Sequence, residues 1–260
     1  MCFADWFRIM TIYELYTKLD GLYEPELSAS WDNDGVMVTD NGHKEITKLL
    51  ISLDPTIEAM KYAVENGFNT LLTHHPLIFK SLRGISPGNC TDDRVIYAMK
   101  NGLSVLSFHT RLDGAFNGVN YALARAVGYE PKQEVRLEYC EADGVVIDLG
   151  EEMDADEFAL KCKKALKAPF VRVTGKGKIR RVICVGGAGK DFAHKMPSGD
   201  ALLTGECTYN ASQNAAEEGM IVIEAGHYET EAPICSVLKQ IAEEDGVKAE
   251  IYNSLTQRIL

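Results

Sequence analysis

The chain has 260 residues, with 27 basic and 38 acidic side chains and a formal net charge of −11. This length suffices for one large or two modest domains, and a hydrophobic share of 46% is that of an ordinary globular protein. The negative charge disfavours nucleic acid and an anionic membrane surface, which bind proteins through negative groups. We therefore expect neither as a partner.

The seven cysteines are odd in number, scattered, and never spaced as C-x-x-C, so neither a zinc ribbon nor a disulfide framework is indicated. Cys184, within the apolar run RVICVGG, is interpreted as a small buried core residue. No apolar stretch approaches the roughly 20 residues that span a bilayer. The opening MCFADWFRIM lacks the features of a secretory signal, so a cytoplasmic location is expected. Met10 precedes a helix pattern and is a candidate start, so nothing is built on residues 1–9.

Short β-branched runs alternate with helix-patterned stretches in the first half of the chain. After a helix in TIYELYTKLDGLY, the pattern predicts strands at 46–54, 68–76 and 103–110 and helices at 55–67, 91–102 and 116–128. This β-α-β-α rhythm predicts an α/β layer with a largely parallel sheet.

The second half resumes the rhythm after a predicted hairpin. VRLEY and GVVIDLG are expected to pair, followed by helices at 155–167, in NASQNAAEEG and at 230–244, and by strands at 181–187, 200–206, 220–226 and in AEIYN. We predict an α/β fold of two closely packed lobes with mostly parallel central sheets. Residues 1–130 form the first lobe and 131–260 the second, whose C-terminal part, about 220–260, returns to the site of the first.

The segment GGAGKD, at residues 186–191, resembles a phosphate-binding turn. It has neither the full G-x-x-x-x-G-K-[ST] spacing nor the G-x-G-x-x-G pattern, in which Phe192 replaces the last glycine. We interpret its glycines as residues that permit a turn and close packing, rather than as a nucleotide cradle.

Four of the six histidines lie where predicted strands end. They are His74, His75, His109 and His227. Ligands collect at the carboxyl ends of the strands in open α/β sheets. Acidic residues accompany them, namely Asp54, Asp113, Glu206, Glu229 and Glu231. Four histidines at equivalent positions favour a metal site over isolated capping residues, and a donor set without thiolate suits zinc, manganese or iron.

The adjacent pair His74-His75 carries its own geometric expectation. Neighbouring side chains of an extended segment point to opposite sides, and Pro76 favours extended backbone at His75. The two imidazoles are therefore expected to reach different ions of a pair, so a two-metal centre is the more economical interpretation. His227 and Glu231 are four residues apart and would share one face if a helix begins there.

With these motifs the sequence resembles the Nif-three-like family of dinuclear-metal proteins, also labelled GTP cyclohydrolase type 2 homologues. The resemblance rests on SWDNDGVMV, LLTHHPLIF, HTRLDGAFNGVNYALA, GGAG with DALLTGE, and EAGHYETE, which occur in the family's order over nearly the whole chain. The elements HHP, HT-x-x-D and GH-x-x-x-E are specific in combination.

The resemblance implies two divalent ions per chain. Their ligands would be His74, His75, Asp113, His227 and a bridging Glu231. His109 would lie beside the centre. The family resemblance further implies a toroidal homohexamer, and the short segment between residues 130 and 180 indicates that a mid-chain domain found in some members is absent.

Three positions qualify this picture. Arg111 stands where the family usually has a small polar residue, and Tyr121 replaces an acidic residue in the G-V-N-D pattern. Both are expected near the centre without being ligands, where they bear on substrate preference. Trp31 belongs to a turn rich in Asp, Asn and Gly, and its expected role is packing.

Two hypotheses of different classes follow. In the first, the protein is a metal-dependent hydrolase acting on a small molecule such as a nucleotide or phosphoester, with His109 or Glu206 transferring protons. In the second, the ions stabilise a hexameric scaffold or regulatory protein without chemistry. Five protein ligands are too few to close the coordination of two ions, which favours catalysis.

Overall fold

The computed structural model describes residues 10–197 and 199–259, so the interpretation of residues 1–9 lies outside the described part. Nine α-helices are described: α1 Ile12–Leu22, α2 Ile57–Glu65, α3 Cys90–Lys100, α4 Thr110–Gly114, α5 Val119–Ala126, α6 Ala155–Leu166, α7 Tyr209–Glu217, α8 His227–Glu231 and α9 Pro233–Glu244. Eleven strands are described: β1 Gly35–Val38, β2 Leu49–Ser52, β3 Thr70–Thr73, β4 Ser104–Ser107, β5 Gln133–Leu137, β6 Ala142–Asp154, β7 Arg172–Thr174, β8 Lys178–Ala188, β9 Ala201–Glu206, β10 Ile221–Glu224 and β11 Ala249–Ile251. Among these helices none is long and apolar enough to cross a membrane.

The chain divides into two compact units. Among the described residues, the first comprises 10–109 and 235–254, and the second 110–197, 199–234 and 255–259. This division differs from the predicted boundary near residue 130. The reason is that α4 and α5 pack on β6 and β8 of the second sheet, whereas β11 pairs with β2 of the first.

The first unit is built on a five-stranded sheet in the order β1-β4-β3-β2-β11. All its pairings are parallel except the one between β1 and β4, as the alternation of strands and helices predicted. The side chains of Thr56 and Asn89 accept hydrogen bonds from the first turns of α2 and α3 and fix where these helices begin. Because β2, β3 and β4 run in the same direction, their carboxyl ends meet at one edge.

The second unit is built on a six-stranded sheet in the order β5-β6-β8-β9-β10-β7. β5 and β6 form the predicted hairpin, and only β8, β9 and β10 are parallel to one another. The expectation of a mostly parallel sheet is therefore wrong for this unit. The physical reason is that parallel pairing requires a long crossover, whereas the short turn between β5 and β6 permits only antiparallel pairing.

Two buried cysteines in the core of the second unit lead to a prediction on thiol reactivity. Burial raises the pKa of the Cys162 thiol to about 12 and that of Cys184 well above its usual value. We expect iodoacetamide at pH 8 to modify the exposed Cys90 and to spare both, because the thiolate is the reactive form. Peptide mass mapping checks this, with guanidinium-unfolded protein as control. Modification of Cys184 as fast as Cys90 would contradict its burial.

Candidate metal centre

Polar side chains follow three neighbouring strands of the first sheet. Asp54 comes after β2, His74 and His75 come after β3, and His109 comes after β4. These parallel strands end at the same edge, so the backbone brings side chains from distant parts of the sequence together. The predicted clustering of histidines at strand ends is confirmed for these three.

The three imidazoles converge on a small volume. The ring centroids of His74 and His75 are 5.0 Å apart, and those of His109 lie 5.3 and 5.7 Å from them. One ring nitrogen from each histidine lies within 4.8 Å of the other two. These three histidines therefore form a group that could hold a metal ion.

The expectation that His74 and His75 point to opposite sides of a strand is wrong. β3 ends at Thr73, and the pair occupies a bend. The hydroxyl of Thr73 donates to the carbonyl of His75 at 2.7 Å, and the amide of His75 donates to the carbonyl of Leu53 at 2.9 Å. These bonds replace ladder pairing and bring both rings to one side.

Each of these histidines is oriented through Nδ1. His74 Nδ1 lies 3.0 Å from the carbonyl oxygen of Phe108, and a carbonyl can only accept, so this nitrogen carries the proton. His75 Nδ1 lies 2.7 Å from Asp54, and His109 Nδ1 lies 2.7 Å from Asp32. Metal-binding histidines usually hold Nδ1 in this way and present Nε2 to the ion. The donor set therefore fits a metal.

The carboxylates behind His75 and His109 are themselves fixed. Ser254 donates to Oδ2 of Asp54 at 2.9 Å and accepts from its backbone amide at 3.1 Å. The side chain of Asp32 is fully buried against His109. Such outer partners hold a ligand's ring orientation before any ion binds.

In the second unit, α8 begins at His227, so His227 and Glu231 do share one face. His227 Nε2 lies 3.2 Å from Oε1 of Glu231. Nδ1 of the same ring lies 3.0 Å from Oε1 of Glu206, the last residue of β9. Glu206, predicted as a proton-transfer residue, is thus placed where it orients His227. Glu231 is buried, including its Oε2 atom.

Two glycines of β8 allow the side chains of His227 and Glu231 to lie close to the backbone of that strand. Gly187 has a φ of +63°, and a Cβ added there would lie 2.0 Å from Oε1 of Glu231 and 3.0 Å from Nε2 of His227. A Cβ on Gly186 would lie 2.6 Å from a methyl group of Val119. The glycines of GGAG therefore serve close packing, as expected. The side chain that packs against Gly187 is that of Glu231, a candidate metal ligand. The expectation missed this because the crowding atoms come from His227, Glu231 and Val119, which are at least 40 positions from these glycines in the chain.

Asp113, the remaining acidic candidate, lies on α4 with its Oδ1 atom buried. Its backbone carbonyl accepts a hydrogen bond from Nδ2 of the buried Asn120 at 2.8 Å. The same nitrogen donates to the carbonyl of Asp143 at 2.9 Å, and Oδ1 of Asn120 accepts from the amide of Gly186 at 2.8 Å. One amide thus ties α4 to β6 and β8.

Replacing Asn120 should therefore destabilise the second unit. Asn120→Ala leaves three partly buried backbone groups without this partner, and we expect a loss of about 2–4 kcal/mol in the free energy of unfolding. Urea unfolding of the metal-free protein measures it. Asn214→Ala, an exposed residue on α7, should change the free energy by no more than about 0.5 kcal/mol. Equal effects of the two substitutions would refute the bridging role.

Three further positions are placed as follows. Arg111 is buried on α4. The hydroxyl of Tyr121 donates to Glu134 at 2.7 Å, and burial together with this carboxylate raises the Tyr121 pKa to about 12. Trp31 is 55% exposed, and its ring lies against those of Phe79 and His109.

A cavity of about 330 Å³ lies beside His227 in the second unit. Its lining includes Arg172, Cys207 and Glu224. Buried Glu224 accepts hydrogen bonds from the Arg172 guanidinium and from the Cys207 amide, each at 3.0 Å, so its charge is compensated. The cavity is large enough for a small organic molecule.

Comparison with known proteins is consistent with this architecture. The model of the family described as Duf34/NIF3 (NGG1p interacting factor 3) matches residues 10–258. The chain belongs to this family. A Clostridium perfringens protein named GTP cyclohydrolase 1 type 2 homolog is 30% identical over 235 residues, which cover 86% of this chain and 88% of the relative.

Solved structures share the fold of this NIF3 family member. A Staphylococcus aureus protein superposes with a TM-score of 0.84 at 23% identity, covering 96% of this chain and 99% of its own. Reduced HcgD from Methanocaldococcus jannaschii superposes with a TM-score of 0.77 at 27% identity, covering 94% and 97%. The predicted Nif-three-like α/β fold is therefore confirmed.

Proposed function

We propose that this NIF3 family protein is a metal-dependent hydrolase whose substrate is a nucleotide or a phosphoester. The observation that carries the proposal is the histidine cluster after β3 and β4, in which every Nδ1 is held by a carbonyl or carboxylate. A structural site can be oriented in the same way. Catalysis is favoured because five protein ligands are too few to fill the coordination of two ions. A catalytic site keeps such an open position for water or substrate.

The proposed ligand set is the one that the family resemblance implies for two divalent ions. It comprises His74, His75, Asp113, His227 and Glu231. Imidazole and carboxylate donors without thiolate suit zinc, iron or manganese. When bound, such ions acidify water and polarise the group under attack.

The chain's own residues supply orientation and proton transfer. His109, held through Nδ1 by buried Asp32, can take up or release a proton at Nε2 without changing its ring orientation. Glu206 is exposed and keeps His227 in one orientation through Nδ1. We assign proton transfer to His109 first, because Glu206 is already engaged with a candidate ligand.

The name of the Clostridium perfringens relative brings purine nucleotides into the set of substrates to test. The experiment is a panel of nucleoside triphosphates and simple phosphoesters on protein reconstituted with zinc, iron or manganese. Formate release reports opening of a purine ring, and phosphate release reports phosphoester hydrolysis. His75→Ala is the ligand-deleted control. We expect turnover that the control lacks, and equal background in both would favour the scaffold hypothesis.

A further inference from the structure

Two exposed aromatic side chains lie beside the histidine cluster of the first unit. Trp31 is 55% exposed and Phe79 is 45% exposed, although both are large and apolar. Their ring centroids are 6.0 Å apart and lie 6.4 and 6.1 Å from that of His109. Aromatic residues of this size gain most free energy by burial, so their partial exposure at a polar site indicates that something else covers them.

The aromatic pair is tied to the residues that orient His109. Trp31 directly precedes Asp32, whose carboxylate holds Nδ1 of His109. The side chain of Asn33 donates a hydrogen bond to the carbonyl of Ile78, the neighbour of Phe79. One loop therefore positions Trp31, Phe79 and His109 with respect to each other, as a preformed binding site requires.

The mutual orientation of the rings leaves room for a planar group. The interplanar angles are 69° between Trp31 and Phe79, 75° between Trp31 and His109, and 85° between Phe79 and His109. None of these three pairs is stacked face to face. A flat ring can therefore lie against an aromatic face here without displacing a stacked neighbour.

We infer that Trp31 and Phe79 bind the planar heteroaromatic ring of the substrate beside His109. This inference rests on the proposed function for its substrate class, a ring-containing nucleotide rather than a simple phosphoester. Stacking on aromatic side chains is how proteins commonly hold nucleobases, and it tolerates different bases because each has a π-face. Trp31 and Phe79 are binding residues in this assignment, and the proton-transfer role stays with His109.

The test compares two ligands that differ only by the base. GMP and ribose 5-phosphate are titrated into zinc-loaded protein and followed by calorimetry. In a Trp6→Phe background Trp31 is the remaining tryptophan, so quenching of its fluorescence reports a ring placed against it. Calorimetry and quenching report binding rather than product formation, so ring-dependent affinity can be detected whether or not the bound nucleotide is hydrolysed.

We expect GMP to bind more tightly than ribose 5-phosphate and to quench Trp31. Trp31→Ala should weaken GMP binding about tenfold or more, the range of one aromatic–base contact, and leave ribose 5-phosphate unchanged. Phe79→Ala should act in the same direction, and Trp31→Phe should recover part of the loss. Met99→Ala, an equally exposed apolar residue on α3, should leave both ligands unaffected.

Three outcomes would overturn the inference. The first is GMP binding no better than ribose 5-phosphate, and the second is equal weakening of both ligands in Trp31→Ala. The third is a change in oligomeric state alone in Trp31→Ala, which would assign the aromatic pair to contacts between copies. Ring-dependent binding without any hydrolysis would instead preserve the inference and refute the proposed function.

Discussion

Gly187→Ala should both destabilise the protein and abolish metal binding by the His227–Glu231 pair. Its backbone φ of +63° is unfavourable for alanine, and the new methyl group would lie 2.0 Å from Oε1 of Glu231. The carboxylate must move away from Nε2 of His227, from which it is now separated by 3.2 Å. We expect a loss of about 2–5 kcal/mol from backbone strain and overpacking together. Chemical unfolding and zinc titration measure the two effects.

Gly219→Ala is the matched control for this substitution. Gly219 has a φ of +82°, but no atom lies within 4 Å of a Cβ added there. It should therefore show the cost of backbone strain alone, about 1–2 kcal/mol, with zinc binding unchanged. If the two variants lost equal stability and both bound zinc as the wild type does, the close approach of Gly187 to Glu231 would be refuted.

Asp54→Ala should weaken metal binding without unfolding the protein. Asp54 contacts no ion in our assignment, yet it lies 2.7 Å from Nδ1 of His75 and fixes that ring. Removing such an outer partner typically lowers metal affinity about 10–100-fold. Zinc competition against a chromophoric chelator measures the change, and circular dichroism confirms that the fold is retained.

Asp54→Asn separates orientation from charge. The amide oxygen can still accept a hydrogen bond from Nδ1 of His75, so this variant should keep much of the orientation and lose less affinity than Asp54→Ala. Wild-type affinity in Asp54→Ala would contradict the proposed role of Asp54 in orienting His75.

The general course of the first unit follows from local sequence signals. Buried runs such as TLLT and SVLS, each followed by a helix, predict parallel strands, and parallel strands bring their ends together. The clustering of His74, His75 and His109 could be predicted for that reason. The bend at the histidine pair could not, because it depends on the Thr73 hydroxyl and on the distant carbonyl of Leu53.

The supporting residues of the site were harder to predict because their partners are far away in the sequence. Asp32 is 77 residues from His109, and Asn120 is 66 residues from Gly186. A turn rich in Asp and Asn predicts local hydrogen bonds, and nothing local in SWDND distinguishes an aspartate that supports a histidine from one that caps a turn. The order of strands in the second sheet escaped prediction likewise, since pairing across a sheet leaves no local pattern.

Metal binding by the histidine cluster of the first unit underlies the proposed function. Elemental analysis of zinc-reconstituted, dialysed protein tests it most directly, comparing the wild type with His75→Ala and with His43→Ala. His75 is 24% exposed, so its removal leaves no large cavity, and His43 is an exposed histidine whose ring contacts Tyr13. We expect about two ions per chain in the wild type and in His43→Ala, and a clear loss of zinc in His75→Ala. Equal zinc content in all three proteins would contradict metal binding by this cluster.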